Sequence, residues 1–156
     1  MSYSTWGTAG RGICTSDLLD SMNFSSSVKS RNSDASRLMR LIRKAPNYCK
    51  VVKTTLKANH ITDPTLQDLL KVEQGYNGLA TIIANVISEA EGIHIEDCDD
   101  LNGRTYALYV QQYPWQMTEK EKNFTPADID KIFDTYLDIL TDHPGLVSDR
   151  YVTNCG

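Results

Sequence analysis

From Ser33 onward, Leu38, Leu41 and Ile42 recur at helical spacing while Arg37, Arg40, Arg43 and Lys44 fall largely on the opposite side. This is the pattern of an amphipathic helix with one buried stripe. Pro46 is expected to end it. A second helix is expected over Tyr48 to Ala58, with Tyr48, Val52 and Leu56 in one stripe and Lys50, Lys53 and Lys57 outside. Asp63-Pro64 reads as a cap followed by proline at the first helical position, opening a helix that turns Leu66, Leu69 and Leu70 inward. Leu79, Ile82, Ile83, Val86 and Ile87 make the most apolar helix, closed at Gly92. Thr125-Pro-Ala-Asp128 opens another, carrying Ile129, Ile132, Phe133, Tyr136, Leu137 and Leu140 on one face. The run His143-Pro-Gly145 is expected to stop it.

Two segments alternate with the period of two that marks strands, Ile93 to Ile95 and Thr105 to Gln111. Between them Asn102-Gly103 supplies a turn. The tail from Leu146 to Cys155 is expected to add an edge strand through Tyr151 and Val152. At the other end, Trp6 to Ile13 reads as a strand or extended arm feeding a short helix, Leu18 to Met22, capped from Thr15-Ser-Asp17. The polar, serine-rich stretch 23–32 is expected to be a mobile loop. The predicted fold is α+β, four to five helices packed on a small antiparallel sheet, in a single domain spanning residues 1–156.

Length and composition agree with one core: 156 residues, 40% hydrophobic and 23% charged, which is an ordinary globular balance. The start lacks the basic and apolar regions of a secretory signal, and no apolar run approaches a membrane span, so a cytoplasmic location is expected. The net charge of −4 hides an asymmetry. Residues 1–57 hold 10 Lys and Arg against 3 Asp and Glu, whereas 58–156 hold 6 against 17. Such polarity marks surfaces for charged partners, unless the two halves pack together and their fields cancel.

Candidate chemistry is sparse. Cys14, Cys49, Cys98 and Cys155 are far apart, with no zinc-ligand spacing, and read as reduced, buried thiols. Gly10-Arg-Gly12 lacks the lysine-serine ending of a phosphate loop and reads as a tight backbone turn. Glu96, Asp97, Asp99 and Asp100 gather where a strand enters a turn, but without calcium-loop spacing; a solvated acidic hairpin is expected, available to a basic partner. Arg37, Arg40, Arg43 and Lys44, with the lysines of the next helix, could meet phosphates, and Tyr48 could stack on a base. Trp115 follows Pro114 at the exit from a strand and reads as a core plug ahead of an interface anchor. His60, His94 and His143 sit in no triad or zinc motif, and no nucleophile elbow is present. No cofactor, metal or catalytic residue is expected.

Three segments together carry a likeness: Trp6-Gly-Thr-Ala-Gly-Arg-Gly-Ile-Cys14, Tyr113-Pro-Trp-Gln-Met-Thr-Glu-Lys-Glu-Lys122 with the Thr125 to Phe133 helix, and Tyr151-Val-Thr-Asn-Cys-Gly156. They resemble small uncharacterised proteins of Firmicutes bacteria and their phages. The resemblance implies a setting rather than an active site. By analogy it points to a phage or mobile-element inhibitor, anti-CRISPR proteins among them, that contacts a host defence or DNA-handling enzyme. The expected function is therefore non-catalytic partner binding through Glu96, Asp97, Asp99, Asp100, Trp115, Arg37, Arg40, Arg43 and Lys44. The alternative is nucleic-acid binding by the basic helices 37–57, and a metal-dependent nuclease or other hydrolase stands third.

Overall fold

The computed structural model of the chain describes residues 8–22, 28–73, 78–100, 102–110, 113–142 and 151–155. They form an α+β arrangement. The elements are β1 (Thr8–Cys14), α1 (Thr15–Met22), α2 (Val28–Ile42), α3 (Pro46–Ala58), α4 (Leu66–Lys71), α5 (Leu79–Glu91), β2 (Ile95–Asp99), β3 (Thr105–Tyr109), α6 (Pro126–Leu140) and β4 (Tyr151–Cys155). The described residues thus hold six α-helices, one more than the upper expectation of five. None is long and apolar enough to cross a membrane.

The four strands lie in the order β2-β3-β1-β4, every pair antiparallel. The strand expected ahead of the first helix is present as β1, paired on both sides, and the reading of Gly10-Arg-Gly12 as a tight turn is corrected. Its glycines answer to close packing rather than to a bend. A Cβ on Gly12 would run into the carbonyl oxygen of Ala107, and one on Gly10 into that of Tyr109, so only glycine lets β1 approach β3 this closely. The expected edge strand near the C-terminus is present as β4.

Alternation along the strands separates two faces. Ile13, Ile95, Ala107 and Tyr109 join the main core with α2, α3, α5 and α6, while Cys14, Cys98, Tyr106 and Leu108 form a smaller cluster on the other face. As its composition requires, α5 is the centre of the core, with Leu79, Ala80, Ile82, Ile83, Val86 and Ile87 buried. Its end at Gly92 takes the left-handed φ of 65° that favours glycine. A bidentate pair, Arg11 Nε and Nη2 to Asp130 at 2.8 Å each, ties β1 to α6.

Several boundaries differ from those read off the sequence. Pro46 does not simply end α2; it is the first residue of α3, where its missing amide has no helical partner to lose. The next two amides, of Asn47 and Tyr48, donate at 2.9 Å to the carboxylate of Glu89 on α5, so an acidic side chain from another helix caps α3. Thr65, not Asp63, caps α4, in a reciprocal box with Asp68. The same box forms at Thr125 and Asp128, as expected. Helix α2 begins at Val28, so the second half of the expected loop 23–32 is helical; residues 23–27 lie outside the described residues, as do 143–150.

Candidate functional site

Beyond β3 the chain makes a 3-10 turn, Pro114–Gln116, closed by the amide of Gln116 donating to the carbonyl of Tyr113 at 2.8 Å. Pro114 fixes the entry, and the turn sets Tyr113 and Trp115 side by side outside the sheet. Their rings are parallel with centroids 4.9 Å apart. Tyr113 is 65% exposed and Trp115 79% exposed. The core-plug reading of Trp115 is corrected: its indole packs on a neighbouring aromatic ring in solvent.

The acidic run is not one patch. Its middle is strand β2, so neighbouring side chains point to opposite faces. Asp97 faces α5 and accepts the hydroxyl of Thr81 at 3.0 Å. Asp100 closes the hairpin turn, accepting the amides of Asn102 at 2.8 Å and Arg104 at 3.0 Å and the Tyr106 hydroxyl at 2.9 Å. Against a desolvation penalty, these donors hold its carboxyl below the ordinary aspartate range. Only Glu96 and Asp99 are exposed. Asp97 and Asp100 are held by bonds within the fold, so the expected solvated acidic hairpin is corrected to two exposed carboxylates, Glu96 and Asp99. Nor does the pairing place the Asp99 end of this run beside the aromatic turn. The Tyr113–Trp115 turn follows the Tyr109 end of the hairpin, opposite Ile95, whereas Asp99 lies at the other end, about 13 Å along the strand.

The basic helices divide in a similar way. Arg37 is engaged with Asp142 at 2.8 Å, and Lys44 is exposed. Arg40 and Arg43 line a groove of about 890 Å³ between α2, the end of α3 and the connection to α4, facing Lys53, Lys57 and His60. Tyr48 cannot serve as a stacking platform. It is buried, and its hydroxyl donates to Glu73 at 2.9 Å. Burial beside that carboxylate pushes its ionisation well above the usual tyrosine range.

A buried carboxylate was not anticipated. Glu121, within the charged run Glu119 to Lys122, is only 2% exposed. It accepts Nδ1 of His94 at 2.8 Å, the amide of Thr118 at 3.1 Å and the amide of His94 at 3.3 Å. Burial alone would raise its pKa, but these donors, with the Tyr109 hydroxyl, outweigh it and hold the carboxyl below the usual glutamate range. The Tyr109 phenol is correspondingly pushed up to about 12 by burial and by this carboxylate. The cluster pins the segment after the aromatic turn to the start of β2. Lysines before and after Glu121 pair outward, Lys120 with Glu91 and Lys122 with Glu119, which gives the run its surface character in sequence.

Cys14 and Cys49 are free and buried. Desolvation raises the Cys14 thiol, opposed by Arg104, which reaches its sulfur at 3.2 Å and Asp17 at 2.7 Å; an inert thiol results. Cys98 is disulfide-bonded, which corrects the reading of four reduced cysteines. Among the described residues, no group of three or more His, Cys, Asp or Glu side chains is arranged to hold a metal ion. Compared with family models, curated proteins and solved structures, the chain matches none.

Proposed function

We propose that this chain is a non-catalytic binding protein acting by contact with a macromolecular partner, as a phage or mobile-element inhibitor of a host defence or DNA-handling enzyme would. Anti-CRISPR proteins are the nearest functional analogy, and the likeness to phage proteins supplies the setting. The observation that carries the binding role is the stacked pair Tyr113 and Trp115, the most exposed large hydrophobic side chains among the described residues. Covering both rings removes about 300 Å² of apolar surface from water, worth about 7 kcal/mol before ordering costs. Those costs are reduced because the rings are already stacked on a proline-fixed turn.

The test compares the wild-type chain with Trp115→Ala as bait in lysate from a phage-infected host, and scores suppression of host defence by the same two proteins in cells. A central aromatic anchor contributes about 2 kcal/mol or more, close to 30-fold in affinity. The reading expects one host protein to be retained by the wild type and lost from the variant, together with suppression. Identical retention and suppression by both proteins would overturn it. The cytoplasm is the compartment this reading requires, and the Cys98 disulfide weighs against it, because disulfides persist mainly in oxidising compartments.

A further inference from the structure

The groove between α2 and α3 is separate from the aromatic pair, and its chemistry is different. Arg40 lies in the last turn of α2 and Arg43 just past its end; Lys53 and Lys57 lie one turn apart on α3 and line the same groove. All four are exposed, and among the described residues none of them forms a salt bridge. Among the described residues, Asp63 is the one carboxylate in the lining. Four unneutralised cations around one concavity, in a chain of net charge −4, repel one another and create a strong local anion potential.

Beneath the cations, Met39, Leu56 and Ile61 contribute apolar lining. The backbone explains how Ile61 gets there. After α3, the His60 amide donates to the carbonyl of Lys57 at 3.0 Å and the Ile61 amide to that of Leu56 at 2.9 Å, the paired closure of a Schellman motif. That closure brings Ile61 back against Leu56 and occupies two carbonyls that would otherwise repel an anion. It also demands a left-handed residue at position 60, and His60 supplies it with φ 59°, where glycine would be easier. A strained, donor-bearing side chain thus stands at the rim where an unstrained glycine would close the helix equally well.

From this arrangement we propose that the groove binds a nucleotide ligand carrying two or more phosphate groups. The guanidinium and ammonium groups take the phosphates, the apolar floor takes a base, and Asp63 offers an acceptor to a sugar hydroxyl. A volume of about 890 Å³ is near the upper end for small-ligand pockets and accommodates a dinucleotide. An acidic peptide would satisfy the cations but leave the floor unused. A duplex presents its phosphates on a convex rod and cannot seat a base there. This inference does not depend on the Tyr113–Trp115 reading, and either can fail alone.

The experiment is a fluorescence-anisotropy titration of the full chain with a labelled, 5′-phosphorylated thymidine dinucleotide, at about 50 mM and about 200 mM salt. Hexaglutamate and a single strand of about 20 nucleotides serve as competitors. Saturable binding that weakens with salt is expected. It should fall by about tenfold or more in Arg40→Ala/Lys53→Ala and remain unchanged in Lys131→Ala, on α6. Should the double variant fail to fold, Arg43→Ala and Lys57→Ala singly give the same comparison. The proposal is overturned by no saturable dinucleotide binding, by binding indifferent to these substitutions, or by equal competition from hexaglutamate. It is equally overturned if the long strand binds about 100-fold tighter than the dinucleotide, which would make the groove a nucleic-acid track.

Discussion

Replacing Glu121 by Gln tests whether the segment carrying the aromatic pair is held by one buried carboxylate. The side chain is 2% exposed and receives donors from His94, Thr118 and Tyr109. Glutamine keeps the shape, removes the charge and turns an amide group toward donors, so at least one donor loses its acceptor. Leaving a buried group without its hydrogen-bond partner costs about 1–3 kcal/mol, toward the upper end where the lost acceptor is charged. His94 is 40% exposed at its side chain and can recover solvation, so the loss is set at about 3 kcal/mol and no more. For a domain of this size that lowers the melting temperature by about 6–12 °C. Urea and thermal unfolding followed by circular dichroism measure it. The dependence on pH follows from the sign of the shift. The folded state holds the carboxyl below its ordinary pKa of 4.5, so its stabilisation is fully present above that value and is lost as pH falls through the folded pKa. Wild type and variant should therefore differ most near neutrality and converge in acid. A loss under about 1 kcal/mol at pH 7, or a gap that widens in acid, would refute the reasoning.

Three further outcomes are expected. Gly12→Ala forces a Cβ into the Ala107 carbonyl across the β1–β3 pairing and should cost about 2–4 kcal/mol in urea unfolding; a change below about 0.5 kcal/mol would mean the strands separate freely. His60→Gly relieves a left-handed residue and should raise stability by about 0.5 kcal/mol, while a loss would show that the imidazole supports the fold. Under denaturing conditions without reductant, an alkylating agent should modify Cys14 and Cys49 but not Cys98, by mass spectrometry, and labelling of Cys98 would contradict its disulfide.

The helices were legible wherever a local rule decides the outcome. The stripe through α5 and the Thr125–Asp128 box of α6 depend on residues within one or two turns, and both formed where the pattern put them. Pro46 shows the limit: proline reads equally as a stop or as a first helical residue, and only Glu89, more than forty positions away, completes the α3 start. The acidic residues misled because charge is taken as a sign of turn, yet pairing with β3 carries Glu96 to Asp99 as strand. Glu121 hid among surface lysines, since nothing local distinguishes a buried carboxylate from its neighbours. The exposure of Trp115 and the grouping of Arg40, Arg43, Lys53 and Lys57 depend on how distant elements pack. Their residues were named from the sequence; their arrangement was not.

The claim that Tyr113 and Trp115 form a partner-binding surface meets its most direct test in photo-crosslinking within host cells. A photoreactive benzoylphenylalanine is placed at position 115 and, separately, at position 131 on the exposed side of α6. Both positions are open to solvent, so a chance collision labels them alike, whereas a docked partner labels only the aromatic turn. The account predicts a discrete adduct with a single host protein from position 115 and none from 131. No adduct from position 115, or the same set of adducts from both positions, would contradict it.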